Sequence, residues 1–335
     1  MQPDLLAGLD TPEGLKSALQ VAIELEHSTI PPYLYAVFSL EGGDNQEIEG
    51  LVDNVVKEEM AHMALACNIL NAIGGTPEID SPRFVPTYPT SLPGTVEEQL
   101  KVHLRRFSIE QVEKTFMVIE EPEKPEAIPD AVAAPPLTIG AFYANVKQAI
   151  EAAGQAIFVG DPKRQVTGGF AEIVAVSDVA SASKAIKTIV EQGEGTSSSP
   201  FGDKAHDEFA HFYRFAEIAK GKKLVPAPGE KPPWSYDGAA IPFDPAQVKP
   251  AVDDPRCSDY PEGSPARKAC EEFNHTYTNL LKLLHEVFNG APQNLGNSID
   301  VMFELKEQAG KVMAIEVEPG KHAGPSFEYQ PNPST

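Results

Sequence analysis

Two short segments of this chain place a glutamate three residues before a histidine, a spacing suited to metal binding. Glu59 precedes His62 in the first segment, and Glu208 precedes His211 in the second. Residues three apart lie side by side on an α-helix, so the carboxylate and imidazole of each pair can bind the same metal ion. A divalent metal would also supply the counter-charge that a carboxylate needs when apolar side chains bury it.

The apolar spacing around these pairs favours burial over a solvated position. Glu59 and His62 interrupt one apolar stripe, and Glu208 interrupts another. The two stripes consist of Val52, Val55, Ala66, Ile69 and Ile73, and of Phe201, Ala205, Phe212, Phe215 and Ala219. A single Glu-x-x-His is a common accident and usually marks an ordinary solvated pair. Two copies, each on an apolar face and each on the second helix of a hairpin, favour a shared metal site.

A two-metal site in a helical bundle requires one further glutamate from each of the two remaining helices. The first hairpin turns near residue 43, so the position level with Glu59 lies close to residue 27. Glu26 fits this level and shares the apolar face of its helix, whereas Glu24 follows a polar line. We therefore predict Glu26 as the ligand, with His27 behind it or at the surface.

The fourth glutamate is ambiguous, because two residues lie near the required level. The second hairpin turns near residue 199, so the partner of Glu208 should lie near residue 190. Glu191 fits this level, but Lys187 lies one turn earlier and could hold it in an ordinary surface ion pair. Glu194 is the competing candidate, and both glutamates could contribute.

The sequence gives weaker evidence that the remaining ionisable side chains belong to a functional site. Glu113 could approach the bundle, whereas Glu110, Glu120 and Glu121 are interpreted as ordinary surface charges on a helix. For buried tyrosines, aromatic core packing is the default interpretation. The tyrosines that could instead line a pocket or act as redox-active phenols are Tyr33, Tyr35, Tyr143 and Tyr213.

Apolar spacing of three and four residues recurs over long stretches, which predicts an all-α chain. The predicted helices lie near residues 12–41, 45–73, 95–121, 138–158, 178–194, 203–221, 266–289 and 296–314. Pro31 and Pro32 should kink the first helix and free backbone groups near the site. We predict a metal-binding bundle over residues 1–225. Residues 226–335 should form a Pro-rich strap and a C-terminal helical extension that packs on the bundle.

Charge and composition limit the possible partners. The formal net charge of −22, from 27 basic and 49 acidic residues, argues against nucleic acid and anionic membranes as partners, because both would be repelled. The sequence has no apolar run of about 18 residues and no secretory signal pattern, so we expect a soluble, cytoplasmic protein. Of the three cysteines, Cys67 is predicted as a core residue, and Cys257 and Cys270 could pair in an oxidising compartment.

Several segments resemble the ferritin-like family named for iminophenyl-pyruvate dimer synthase, whose members include parts of enzymes from violacein-type bisindole pathways. The matching segments are residues 25–34 (LEHSTIPPYL), 58–63 (EEMAHM), 68–75 (NILNAIGG), 191–195 (EQGEG) and 211–215 (HFYRF). The resemblance covers residues 10–225, and the combination of segments is far more specific than any one of them.

This resemblance implies a ferritin-like four-helix bundle with additional crossover helices, a C-terminal helical extension and bound iron. In some members it also implies oxidative coupling of two arylpyruvate-imine molecules. The pathway enzymes are much longer chains, so the fold and the metal site carry over better than the substrate.

Three functions follow as hypotheses. The leading one is a non-haem di-iron oxidoreductase that uses O2 to oxidise or couple a small organic substrate, with two iron ions per chain and manganese as the alternative. The second is iron binding or ferroxidase activity without organic turnover, and the third is an accessory protein. A homo-oligomer is left open. The predicted walls of a substrate cavity are Phe116, Phe142, Tyr143, Phe273, Tyr277 and Leu281.

Overall fold

The computed structural model describes residues 8–122, 137–169, 173–193, 200–203, 208–230 and 233–330. Helices dominate these ranges, and the prediction of a mostly α-helical chain is confirmed. They are α1 (Pro12–Ser39), α2 (Gln46–Ala72), α3 (Ile109–Gln111, a π-helical turn at Val112–Phe116, and Met117–Ile119), α4 (Ile139–Ala153), α5 (Val179–Gly193), α6 (His211–Lys220), α7 (Pro265–Phe288) and α8 (Leu295–Met313).

Within the described residues, short strands occur in two of the connections between helices and again after α8. They form three antiparallel two-stranded ribbons: β1 (Phe201–Asp203) with β2 (Glu208–Phe209), β3 (Val225–Pro226) with β4 (Trp234–Ser235), and β5 (Glu316–Glu318) with β6 (Lys321–His322).

Helices α1 and α2 form an antiparallel hairpin at the centre of the bundle. Helix α1 begins after Thr11, whose hydroxyl accepts a hydrogen bond from the backbone N–H of Gly14 at 3.1 Å. Pro12 at the first helical position has the backbone angle that a helix start requires. Helix α2 ends before Gly74, whose φ of +74° is a left-handed conformation that glycine adopts without strain.

Two consecutive prolines lie inside α1, one turn beyond Glu26. Because Pro32 has no backbone N–H, the carbonyl of Ser28 lacks its usual helical partner. The hydroxyl of Tyr88 donates to that carbonyl at 2.8 Å, so a side chain from a crossover segment binds the backbone group that the proline frees.

Helices α4 and α5 complete the bundle. They pack on each other, and α5 also packs on α2 while α4 packs on α1. The centre of this arrangement is filled by buried residues that include Ile23, Val55, Phe142 and Ile186. Helices α4 and α5 therefore cover the inner faces of α1 and α2.

Two predicted helices begin later than the sequence indicated. The helix predicted from residue 95 begins only at Ile109. Ser108 sets this start, because its side chain accepts a hydrogen bond from the N–H of Gln111 at 3.1 Å. Residues 96–108 before it are not helical, and Val102 pairs there with Thr90. The helix predicted from residue 203 is observed from His211 onward, and Glu208–Phe209 just before it pairs as β2 with β1. Residues 204–207 lie outside the described residues.

The C-terminal part of the chain covers the hairpin from outside the bundle. Helices α7 and α8 pack on each other, α7 contacts α2, and α8 contacts α1. The preceding strap crosses the loop between α1 and α2, where the Asn45 side chain donates to the carbonyl of Asp244 at 3.0 Å. A division of the chain near residue 225 stays a prediction.

The structure bears on membrane crossing and on the state of the cysteines. Among the described helices, none combines the length and apolar character needed to cross a membrane. Cys67, Cys257 and Cys270 are buried free thiols, so the pairing considered for the last two is not formed here.

Candidate metal centre

Five buried side chains with metal-binding atoms converge between α1, α2, the end of α3 and the start of α6. Glu26, Glu59 and His62 form one group, and Glu59, Glu120 and His211 form a second. Within each group the ligand atoms all lie within 4.8 Å of one another. Glu59 belongs to both groups, so one carboxylate could serve two metal ions.

Each ligand position follows from its local structure. On α2, Glu59 and His62 lie one turn apart and face the bundle interior together. Glu120 directly follows α3, whose π-helical turn changes the direction of the side chains that follow it. His211 is the first residue of α6. Both of these residues therefore lie at helix ends, where the backbone departs from regular α-helical geometry.

The facing atoms of these residues are one oxygen per glutamate and Nδ1 of each histidine. His62 Nδ1 lies 3.7 Å from Glu26 Oε2 and 3.6 Å from Glu59 Oε1. His211 Nδ1 lies 2.8 Å from Glu59 Oε1 and 3.5 Å from Glu120 Oε2. The two imidazole rings are stacked, with centroids 5.4 Å apart. All five residues thus direct a donor atom to a common interior space.

The second oxygen of each glutamate is held by a hydroxyl group. Tyr143 donates to Glu26 Oε1, Thr29 donates to Glu59 Oε2 at 2.9 Å, and Tyr33 donates to Glu120 Oε1 at 2.7 Å. Burial, followed by the charge of the adjacent glutamate, raises the pKa of both phenols well above 10, so they remain protonated donors. The hydroxyl groups leave one oxygen of every carboxylate directed inward.

Both histidines use Nε2 to bind a residue outside the cluster. His62 Nε2 lies 2.9 Å from the side-chain oxygen of Gln192, and His211 Nε2 lies 2.9 Å from Glu58 Oε2. An oxygen partner at Nε2 favours the tautomer that donates there and leaves a lone pair on Nδ1. Glu58 is itself held by Arg214 through two hydrogen bonds of 2.8 Å. Such outer partners commonly orient metal-binding histidines.

The donor set fits a divalent transition metal. Carboxylate oxygens and imidazole nitrogens suit iron and manganese. His211 Nδ1 is buried and has no hydrogen-bond partner within the described part of the chain, although Glu59 Oε1 is only 2.8 Å away. This contact lacks hydrogen-bonding geometry, as expected when two donor atoms are directed at a shared cation. A cavity of about 20 Å³ adjoins the cluster, which is room for an ion or a water molecule.

The protonation behaviour of the glutamates reflects their crowding. Burial, followed by the charge of Glu59, raises the pKa of Glu26 well above 4.5. Burial alone would also raise the pKa of Glu59, but the imidazoles of His211 and His62 lower it below 4.5. In the metal-free protein, Glu26 therefore retains a proton at pH values where Glu59 is ionised.

His211 and its partner Glu58 have pKa values that favour their charged forms. Burial alone would lower the pKa of His211, but surrounding carboxylates, Glu120 foremost, raise it well above 6.5. Burial would raise the pKa of Glu58, but the hydrogen bond to His211 and the charges of His211 and Arg214 lower it to about 2. In the metal-free protein, a proton on His211 thus compensates part of the negative charge that a metal would compensate.

The structure brings together four of the seven residues that the sequence singled out, namely Glu26, Glu59, His62 and His211. Glu208 lies outside the cluster, exposed on β2. The expected helical pairing of Glu208 with His211 was wrong, because the chain changes from strand to helix between them and the two residues do not share a helix face.

The segment with the two competing glutamates approaches the cluster through other residues. Glu191 is half-buried on α5, and its carboxylate lies 3.7 Å from the ammonium group of Lys187. Its neighbour Gln192 contacts His62, and Gly193 lies so close to the cluster that an added Cβ would be 3.2 Å from Glu120 Oε2. Successive helical residues diverge by about 100°, so Gln192 and Glu191 cannot both face inward. Glu194 lies outside the described residues.

Glu120 was missed as a candidate. Its interpretation as a surface charge was wrong, since it is 4% exposed. The signal was present in the spacing of Val112, Phe116 and Glu120, which are four residues apart and all buried. Glu113, the alternative that the sequence suggested, is exposed.

Comparisons with known proteins agree with this architecture. A family model described as "Ferritin-like" matches residues 19–220. Dichlorochromopyrrolate synthase from Lentzea aerocolonigenes is 25% identical over 97% of this chain, which spans only 37% of that relative's length. The crystal structure of a ferritin-like protein from Caulobacter vibrioides aligns with a TM-score of 0.63 and 24% identity, covering 94% of this chain and 97% of the other. The chain belongs to the ferritin-like family.

Proposed function

We propose that this protein is a two-metal oxidoreductase, with iron as the metal, that uses O2 to oxidise or couple a small organic substrate. The observation that carries the proposal is the position of Glu59 in two buried groups. Each group contains one histidine Nδ1 and one further carboxylate. Two ions held by a shared carboxylate suit reactions in which O2 receives more than one electron.

The protein residues would divide the work of holding the centre. Glu26, Glu59 and His62 would hold one ion, and Glu59, Glu120 and His211 the other. Bound iron would supply the electron transfer between substrate and O2. The side chains behind the ligands fix the direction of the donor atoms, and this preorganisation is the protein's contribution to such chemistry.

Oxidative coupling is the reaction class that the relatives favour. One relative is named as a synthase of dichlorochromopyrrolate, and the segments around Glu26, His62 and His211 resemble the family named for iminophenyl-pyruvate dimer synthase. Joining two aromatic, amino-acid-derived molecules by one carbon–carbon bond removes two protons and two electrons. O2 can accept both as it is reduced to hydrogen peroxide. We therefore propose an aromatic, amino-acid-derived substrate class.

The small cavity at the cluster favours iron oxidation without organic turnover as the second candidate. Its volume of about 20 Å³ suits an ion, water or O2 but is too small for an aromatic ring. In this alternative, O2 oxidises ferrous ions directly and the protein binds iron as its substrate.

One experiment separates the two candidates. The chain is loaded anaerobically with ferrous iron, its iron content is determined, and O2 uptake is measured with and without indole-3-pyruvate and ammonium. The oxidoreductase proposal expects about two ions per chain and a coupled product in the mass spectrum. Uptake that follows added iron and ignores the organic compound supports the second candidate. Absence of bound iron contradicts both.

A further inference from the structure

The last residue of α5, Gly193, is buried beside the small cavity at the metal centre. It lines that cavity together with Glu120 and with two apolar residues of its own helix, Ile189 and Val190. A Cβ added at Gly193 would lie 3.2 Å from Glu120 Oε2, the oxygen that is directed at His211. Apart from its chain neighbours and its own helix backbone, no other described atom lies within 4 Å of that position. A side chain here would therefore enter the cavity next to a metal-binding oxygen.

The backbone at Gly193 does not explain why this residue is glycine. Glycine at a helix end commonly adopts a positive φ, as Gly74 does after α2. The φ of Gly193 is not positive, and the residue is helical. At a helical position glycine is less favourable than alanine, because it loses more conformational freedom on folding. What this position uses is the absence of a side chain.

Strand β1 holds the end of α5 in place. A Cβ added at Gly202 in β1 would lie 3.0 Å from both the Cα of Gln192 and the carbonyl oxygen of Glu191. The strand therefore touches the helix backbone without a side chain between them. Closely packed segments yield little to added volume. A side chain at Gly193 would be accommodated at the expense of the cavity, because the helix end has little freedom to shift.

The size and the walls of the cavity determine what it can hold. Its volume of about 20 Å³ is room for one molecule of two or three atoms. One side consists of metal-binding residues, and α4 and α5 provide an apolar side with Ile139, Ile189 and Val190. The one hydroxyl group in the described lining belongs to Thr29 and already donates to Glu59. A buried water molecule needs two to four polar partners, whereas O2 needs none, so the apolar side favours O2.

We propose that Gly193 is a specificity-determining residue, which limits the ligand beside the metal centre to a diatomic molecule such as O2. Glycine leaves a space of that size at Glu120, and any larger residue would close it. The inference rests on the two-metal function proposed above and deepens it. The aromatic and leucine walls predicted from the sequence do not line this cavity, namely Phe116, Phe142, Tyr143, Phe273, Tyr277 and Leu281.

The test measures binding of nitric oxide, a diatomic ligand of ferrous iron that is close to O2 in size. The whole chain is loaded anaerobically with ferrous iron, its iron content is determined, and nitric oxide is titrated while the absorption spectrum is recorded. We expect Gly193→Ala to keep about two ions per chain and to bind nitric oxide about tenfold more weakly, because the added methyl group occupies the space. Gly50→Ala is the matched control. Gly50 is an exposed helical glycine with open space around an added Cβ, so its variant should bind like the wild type.

Ile189→Phe fills the same cavity from a different residue. Ile189 lies one turn before Gly193 on α5, so the larger ring should weaken nitric oxide binding at least about tenfold and leave the iron content unchanged. Unchanged affinity in either variant overturns the proposal, as does a wild type that binds iron but not nitric oxide. Loss of an ion in Gly193→Ala also overturns it, because the glycine would then only make room for Glu120. A wild type without bound iron contradicts the two-metal function itself, and the role of Gly193 falls with it before nitric oxide is added.

Discussion

Glu59 and His62 lie one turn apart on a continuous helix, whereas Glu208 and His211 are separated by the junction between β2 and α6. The spacing in sequence is the same, but only the first pair directs both side chains to the cluster. At the second position the histidine is buried and the carboxylate comes from Glu120 instead. A Glu-x-x-His pair therefore predicts a shared ligand site only where the helix is continuous.

The two histidine positions also differ in their electrostatic support. His62 is bound by the uncharged amide of Gln192, while His211 is bound by Glu58, which Arg214 neutralises in turn. A carboxylate partner makes an imidazole a stronger donor to a metal. The half of the centre around His211 should therefore bind its ion more tightly than the half around His62.

The largest loss of bound metal is expected from a change at Glu59, which belongs to both halves of the centre. Glu59→Gln removes the carboxylate common to both groups while keeping its shape, so metal content should fall from about two ions per chain to nearly none. Elemental analysis of the purified protein after iron loading provides the measurement. Glu208→Gln is the matched control, and it should retain the wild-type metal content. Full occupancy in Glu59→Gln would contradict the assignment of the shared ligand.

Loss of a single histidine should weaken metal binding in only one half of the centre. His62→Ala and His211→Ala each remove one neutral nitrogen donor, and no other histidine belongs to either group. We expect about one ion to remain in each variant, held more tightly in His62→Ala because the half supported by Glu58 is intact. Competition with a chelator distinguishes the two. Equal retention in both would show that the outer partners do not determine the affinity.

The sequence pointed to both histidines of this comparison, but it did not point to Glu120, the carboxylate that accompanies His211. Helix α2 is long and periodic, so its apolar stripe placed Glu59 and His62 correctly, and the level argument along the hairpin placed Glu26 beside them. Both arguments assume regular helices. Glu120 follows a π-helical turn, and His211 begins a helix after a β-ribbon. Local hydrogen bonding and long-range packing determine these features, and side-chain periodicity does not report them.

The outer partners provide a more sensitive comparison of the two halves. Glu58→Gln removes the charge that supports His211, and Gln192→Leu removes the amide that orients His62. Changes to such partners typically cost about 10–100-fold in metal affinity. We expect Glu58→Gln to approach the upper end, and Gln192→Leu the lower end, in a metal-binding titration. The reverse order would contradict the proposed role of charge.

The pH dependence of unfolding should separate metal-free from metal-loaded protein. A raised folded pKa at Glu26 means that the folded state keeps a proton that the unfolded state releases above 4.5, so stability falls as pH rises through that window. A raised pKa at His211 acts in the same direction, because its contribution is complete below 6.5 and lost as pH rises through the folded value. Bound metal displaces both protons and should remove this decline.

Urea unfolding of both forms between about pH 5 and pH 9 gives the comparison. Glu26→Gln should weaken the decline in the metal-free protein, because it removes one of the two titrating groups. Parallel profiles for the metal-free and metal-loaded protein would show that these groups do not bind the metal.

The smallest effect is expected at Glu191, where the sequence allowed either a ligand or a surface ion pair. Its side chain is 37% exposed and lies 3.7 Å from Lys187, one turn earlier on α5. Glu191→Gln should therefore leave the metal content unchanged and cost only about 0.2–0.5 kcal/mol of unfolding free energy. Gln192→Glu is the matched comparison, because it places a charge on the adjacent side chain that does reach His62. This second change should alter metal affinity while the first does not. If Glu191→Gln lost one ion, the cluster would require a fourth carboxylate, and α5 would have to rotate to supply it.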